Sequence, residues 1–515
     1  MLKILGRNKL PRANARGMLK CSLCERYKII LFSIILLALL LRLNGITHGY
    51  PYIFNVDEPA LIRSARGLFF DKIIDHFDWP HFNIYFNFVL QWIYVKFRGL
   101  IQVLGLRGII EKPFPILWND PFVFYLISRI FNAILASLTI IPTYLLAKMA
   151  YGQNSKIPLV SAFILATFPF YVYVSHFAIL DMALLFWIMC SIYFQFKFIT
   201  QRKNKDAILA GIFLGLAVGT KYNAIMFLSF YVLMEFFRYL STKQKESFSK
   251  MFLRGLKYSF LIFFISFFVF LVTTPSLIYK WNIFWSNTYG RGIFWQFKDN
   301  LDPLSFERYL LEFWPRIQKF ISDIGILMFI FVLSIPVTLI INKKSKYFEN
   351  LFTFGLYILT ILIMLYTLRY GRASSHYYLP LYGFLSILAS FSILQISTFF
   401  KKFWWVFVIA MLVPNLVSSV NISSKFKKGD SRTLALKYYE NKRFSNKIYY
   451  KGEVFREAVP INNLEMLKYL DSEKMNAKDL LISIETVNDK RLNVVRFIDN
   501  KNLFGPNIYV YEKTN

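Results

Sequence analysis

Eleven apolar runs follow one another along this 515-residue chain, most of them close to the ~20 residues a helix needs to cross a bilayer. They lie at 27–46, 121–147, 157–174, 177–199, 207–220, 223–240, 256–278, 322–341, 351–368, 377–396 and 403–421. Hydrocarbon offers backbone N–H and C=O groups no water to bond, so such runs must satisfy themselves as helices. The residues are 56% hydrophobic and 19% aromatic, and a soluble chain of this length would be far more polar. The expected fold class is an all-α polytopic membrane protein of about eleven spans.

The net charge of +31 raises the question of nucleic acid. However, most of the lysines and arginines fall in short links between apolar runs, where they orient helices and meet anionic headgroups. Membrane lipids, and no nucleic acid, are therefore the expected partners. Cys190 lies in an apolar run, while Cys21 and Cys24 form a single CxxC without a second pair or a histidine. Two reduced thiols are a better reading of that pair than a zinc site.

The links also give an orientation. The N-terminus carries Lys3, Arg7, Lys9, Arg12, Arg16, Lys20, Arg26 and Lys28, so residues 1–28 are expected in the cytoplasm and the next loop outside. A further apolar stretch, 82–105, decides the rest. If it spans, the basic links at Arg202–Lys205, Lys343–Lys346 and Lys401-Lys402 fall outside. If it lies along the outer surface, all of them face the cytoplasm, and Lys96, Arg98 and Arg107 suit an interfacial helix. The second arrangement is expected, with the C-terminus outside. A transmembrane domain then covers 29–422, with outer loops at 44–120 and at 279–322, the latter rich in Trp and Tyr as headgroup layers are. The tail 423–515 is less hydrophobic. Leu480–Ile484 and Asn507–Tyr511 read as strands and Thr433–Asn441 as a helix, which predicts a small extracytoplasmic α/β domain.

On this topology the polar residues of the apolar segments gather at one face. Asp57, Glu58, Arg129, His176, Asp181, Lys221, Arg369, Arg372 and His376 all fall near outer ends of spans, where ionisable groups are costly unless they pair or serve a substrate. Acids and cations on one side suit a site for a negatively charged lipid headgroup, with carboxylates activating a nucleophile and Arg and Lys holding phosphate. Each residue has a plainer alternative. Asp57 would also cap the helix opening at Pro59, and Glu58 would sit on a solvated face. His176 and Asp181 would close a turn, Lys221 would snorkel to headgroups, and Arg129 would pair with Asp57 or Asp120. Tyr377 would simply pack.

At these residues the sequence resembles the GT-C membrane glycosyltransferases, specifically the protein O-mannosyltransferase and aminoarabinose-transferase group (glycosyltransferase family 39/83-like). Asp57-Glu58 matches that group's first-loop acidic motif. Leu126-Ile127-Ser128-Arg129, Phe168–Phe177 leading to Asp181, Gly211–Ala217 with Thr220-Lys221-Tyr222, Tyr377–Leu381 and Asp430–Ala435 follow in the family's order. The resemblance implies a plasma (inner) membrane enzyme moving a monosaccharide from a polyprenyl-phosphate donor to a lipid, glycan or protein acceptor on the outer face. It implies inversion at the anomeric carbon and Asp57 as general base with Glu58 beside it. Arg129, Lys221, Arg369 and Arg372 would bind the donor phosphate, and His176, Asp181, Tyr222, His376 and Tyr377 the acceptor or sugar. No cofactor is expected to be required, because several carboxylates do not cluster as a divalent metal needs. The alternative from another class is a transporter or flippase of a lipid-linked saccharide, although no internal repeat is visible.

Overall fold

The computed structural model describes residues 12–513 other than Val56, 242–246, Tyr289, 301–303, 342–346, 371–374, 399–403, 442–447, 452–463, 467–474 and 476–478. All eleven apolar runs are largely helical. Among the described residues seven helices are long and apolar enough to cross a membrane: Phe122–Tyr151, Asp181–Gln201, Tyr222–Ser241, Phe248–Thr273, Glu349–Leu368, Ser375–Ser397 and Trp405–Lys428. The other four runs depart from a simple span for local reasons. Helix α1 (Arg12–Leu43) carries Arg26, Lys28 and Arg42. The run at 157–174 breaks at Thr167 and Phe168 because Pro169 starts a new turn. The run at 207–220 gives a helix of only 15 residues. The run at 322–341 is divided at Gly325, φ +87°, and again at Ser334, just before Pro336.

Buried Arg42 repairs the first of these breaks. Its Nη1 donates to Ala166 O and Ala38 O, both at 2.9 Å, and so satisfies a carbonyl that the broken helix leaves without a partner. The guanidinium also lies 4.9 Å from the centre of the Tyr171 ring.

Three helices place the site. Helix α2 (Asp57–Gly67) starts with both acids in its first turn, where the helix dipole favours them. Its first N–H donates to the Asn55 side chain at 2.9 Å, so Asn55, not Asp57, takes the capping role. Helix α3 (Phe82–Val103), the stretch whose depth decided the topology, buries Asn83, Asn87 and Gln91 and exposes Val89, Trp92, Phe97 and Val103. Polar inside and apolar outside is the pattern of a helix against lipid. Asn87 accepts from Ser128 Oγ of helix α4 (Phe122–Leu138).

Helix α5 (Asp181–Gln201) opens with Asp181, and helix α6 (Asn204–Val218) ends just short of Lys221. Gly211 and Gly215 let α6 approach helix α7 (Phe248–Thr273) closely. A Cβ at Gly215 would lie 2.6 Å from the Val269 Cβ and 2.7 Å from the Ser266 carbonyl. Helix α8 (Phe306–Ile324) turns Phe306, Leu310, Leu311 and Trp314 outward. Its Arg316 donates to Leu368 O at 3.0 Å and to Tyr370 O.

Helix α9 (Trp404–Lys428) leads into the C-terminal domain, where helix α10 (Ser431–Asn441) packs on a five-stranded sheet ordered β2-β1-β3-β5-β4. The strands are β1 (Ile448–Lys451), β2 (Leu464–Met466), β3 (Leu480–Ser483), β4 (Leu492–Ile498) and β5 (Ile508–Lys513). β1 runs parallel to β2 and β3, and β5 is antiparallel to β3 and β4, with Leu481 opposite Tyr511. Leu436 of α10 joins Ile482 and Val510 in one core, while Leu481 and Tyr511 face the other side. The two strands and the helix expected here are present. β1, β2 and β4 were not anticipated.

Candidate active site

A cavity of about 700 Å³ opens where the N-termini of α2 and α5 meet the end of α6. Asp57, Asp181, Lys221, Tyr222, His376 and Tyr377 line it together. These six come from segments far apart in sequence, and each lies at the end of a helix, where a side chain can leave the packed interior.

Lys221 is the anchor. Its Nζ donates to Asp181 Oδ1 at 2.7 Å and lies 5.3 Å from the centre of the Tyr377 ring. Burial alone would lower the Lys221 pKa, but the Asp181 carboxylate, with Tyr377 and Asp57, outweighs it and raises it. The ammonium therefore stays charged at neutral pH. Asp57 is in the opposite position. Burial pushes its carboxyl above the ordinary range, and Asp181 and Glu58 add to the shift, while His376 and Lys221 oppose it. A desolvated carboxylate with a raised pKa is a better proton acceptor than an exposed one. His376 stacks on Tyr377 with ring centres 4.6 Å apart, and the Tyr222 hydroxyl donates to Phe77 O at 2.9 Å.

Four other sequence candidates lie elsewhere. Glu58 has 0% exposure and points away from the cavity, accepting from Arg129 Nε and Nη2 at 2.7 and 2.8 Å and from the Ala178 N–H at 2.7 Å. It is not the solvated residue of the plainer alternative. Arg129, a candidate for the donor phosphate whose plainer alternative was a pair with Asp57 or Asp120, pairs with Glu58, the acid on the buried face of α2. Its Nη1 also donates to His48 O at 2.8 Å. His176 is buried, its ring nitrogens 2.8 and 3.1 Å from the carbonyl oxygens of Val172 and Asn44, and it stacks on Phe426. Arg369 is exposed and does not line the cavity. Arg372 lies outside the described residues.

The cavity also has walls that sequence reasoning missed. Asp78, Trp79 and Pro80 form one side, Trp295, Gln296 and Phe297 another, and Tyr366, Thr367 and Tyr370 a third, with Asn223 beside Tyr222. Asp78 is held by His76 Nδ1 at 2.7 Å. Its signal was an acid directly before Trp-Pro at the start of α3, in a loop without periodicity. Among the described residues no three His, Cys, Asp or Glu side chains come together as a metal site.

Residues 111–284 match the family described as dolichyl-phosphate-mannose-protein mannosyltransferase. That segment contains Arg129, His176, Asp181, Lys221 and Tyr222. The oligosaccharyltransferase of Archaeoglobus fulgidus, in its apo form, is similar in structure, with a TM-score of 0.51 at 12% identity over 82% of this chain and 62% of that one. The chain thus spans less than two thirds of that protein, and the likeness is one of fold. ArnT from Cupriavidus metallidurans, crystallised with undecaprenyl phosphate, gives a TM-score of 0.49 at 13% identity, covering 94% of this chain and 98% of that one. No curated protein sequence matches this one.

Proposed function

We propose, for a chain that carries across residues 111–284 a domain of the dolichyl-phosphate-mannose-protein mannosyltransferase family, that it is a membrane glycosyltransferase using a polyprenyl-phosphate sugar, with Asp57 as its general base. The observation that carries this reading is the pairing of opposite demands in one cavity. Asp57 is desolvated and proton-hungry, and Lys221 is held charged a short way off.

The reaction follows from that arrangement. An acceptor hydroxyl attacks the anomeric carbon as its proton passes to the Asp57 carboxylate. The bond from the anomeric carbon to the phosphate oxygen breaks on the opposite face, so the configuration inverts, and the electron pair leaves on the phosphate. Lys221 stabilises the charge that gathers there, with Asp181 holding its ammonium in place. A polyprenyl phosphate is a competent leaving group, so one base and one fixed cation suffice. Tyr222, Tyr377 and His376 form walls suited to a sugar ring, which presents an apolar face and polar edges. Glu58 and Arg129 support the site from behind. They tie the first turn of α2 to the 46–48 segment and to Ala178, and so fix where Asp57 points.

The basic links at Arg202–Lys205 and along the start of α7 support an orientation with the cavity on the outer face of a plasma membrane. The experiment is direct. The purified protein in detergent, given a polyprenyl-phosphate sugar with a labelled monosaccharide, should release polyprenyl phosphate only when a hydroxyl acceptor is present, and Asp57→Asn should stop it. Release that Asp57→Asn leaves at the wild-type rate would overturn the assignment.

A further inference from the structure

Two polar side chains on the wall of the active-site cavity take no part in the proposed transfer step, Asp78 and Asn223. They belong to one stretch of wall. Phe82 N–H donates to Gly219 O at 3.0 Å and the Tyr222 hydroxyl to Phe77 O at 2.9 Å, so segment 77–82 runs along segment 219–222. Asp78 directly follows Phe77 and Asn223 directly follows Tyr222, the two residues of the second tie.

Asp78 is fixed from behind and open in front. Its Oδ1 lies 2.7 Å from His76 Nδ1, His76 Nε2 lies 3.4 Å from Ser64 Oγ, and His81 Nε2 donates to His76 O at 2.7 Å. Oδ2 has no partner among the described residues, and the side chain is 24% exposed, so a ligand can reach it. Asn223 stands at the start of the span Tyr222–Ser241, where an amide is costly unless it bonds or serves a substrate. A capping or turn role would show as a bond to nearby backbone. The Asn223 side chain makes no hydrogen bond to any described residue, and its Oδ1 is buried without a partner. The last torsion of an asparagine is broad, so either end of the amide can turn to the cavity it lines.

A carboxylate oxygen and an unbonded amide beside the Tyr222 ring offer a sugar what its surface needs, partners for hydroxyls and an apolar face for ring C–H groups. Lys221, the phosphate ligand of the proposed reaction, adjoins Tyr222, so a sugar ring one bond beyond that phosphate lies against this wall. We propose, resting on that reaction, that Asp78 and Asn223 bind hydroxyl groups of the transferred monosaccharide and so select donors that carry them over deoxy donors. A site built to bond a hydroxyl leaves its own polar groups unpaired when the hydroxyl is missing, and that cost is the source of selectivity.

The test offers polyprenyl-phosphate mannose, glucose and galactose, with a hydroxyl acceptor, to the full-length protein in detergent, and then supplies the best donor in each monodeoxy form. Wild type should lose kcat/KM wherever a bonded hydroxyl is missing. The loss should be on the order of tenfold to a hundredfold at the hydroxyl held by Asp78 and roughly two- to tenfold at the one held by Asn223. Asp78→Ala and Asn223→Leu should each slow the parent donor by the same factor, yet leave the rate with the matching deoxy donor as it was. That retained rate shows a folded variant, and a merely structural role would not give it. Should Asp78→Ala not fold, Asn223→Leu decides alone. A wild type indifferent to every missing hydroxyl, or variants that lose equally with parent and deoxy donors, overturns the assignment and leaves the reaction standing. A wild type that releases polyprenyl phosphate from none of the donors overturns the reaction, and this subsite with it.

Discussion

Arg129 holds Glu58 with both arms of its guanidinium, at 2.7 and 2.8 Å, in a space sealed from solvent. The neighbouring acid, Asp57, lines the cavity instead. One turn of α2 thus sends two adjacent carboxylates to opposite duties. Arg129→Met would leave the Glu58 charge buried and unpaired, a loss of about 3–5 kcal/mol. The expected result is a large fall in thermal midpoint in detergent. Asp57→Asn should show no such fall, and that contrast separates support from chemistry.

Asp57→Asn keeps the size of the side chain and removes the proton acceptor. Turnover should drop by roughly 10²–10⁴-fold, the usual contribution of a general base. Stability should move the other way. A carboxyl whose folded pKa is raised binds its proton more tightly folded than unfolded, so its ionised form costs stability once the pH rises past about 3.9. Asparagine removes that cost, and the thermal midpoint at neutral pH should rise. A lowered midpoint with intact turnover would reduce Asp57 to a structural residue.

The same shift fixes the acid limb of the pH–rate profile. The base must be ionised to work, so kcat/KM should fall as the pH drops through the raised Asp57 pKa. That limb should lie above the value of about 3.9 seen for an exposed aspartate. It should vanish from the residual rate of Asp57→Asn. Steady-state rates with donor below KM measure it.

Lys221→Met removes the cation and strands Asp181, which is 3% exposed. A hydrogen bond to a charged group contributes about 1.5–3 kcal/mol, so donor KM should rise on the order of tenfold to a hundredfold. The double change Lys221→Met with Asp181→Asn should recover folding but not donor affinity. Recovery of both would mean that Lys221 serves only its partner.

The orientation is tested at Asn204, at the start of α6. In Asn204→Cys, a membrane-impermeant thiol reagent applied to intact cells should label nothing, and labelling should appear after the membrane is opened. Labelling from outside would reverse the placement of the cavity.

Most helices were legible because their apolar runs are long and hydrocarbon leaves the backbone no other solution. Their interruptions were less so. Thr167 and Ser334 lie within runs of uniform hydrophobicity, and only Pro169 and Pro336 mark them. The acids were legible as a pair but not as individuals, since adjacent helical residues point about 100° apart and sequence alone does not say which faces the cavity. Asp78 was invisible for a different reason. It stands in a loop, and its approach to the cavity depends on how α3 docks against its neighbours.

The glycines of α6 govern more than a helix contact. Lys221 follows Gly211 by ten residues, roughly 15 Å along the axis, and Gly219 sits just before it with a Cβ position only 2.7 Å from Thr273 Oγ1. A methyl group anywhere on that seam must push α6 away from α7 and move the ammonium with it. The reach of the cation is therefore calibrated inside the bilayer, by side chains that never meet a substrate. Where that ammonium stands in the cavity is thus set by the thickness of a helix seam as much as by the cavity walls.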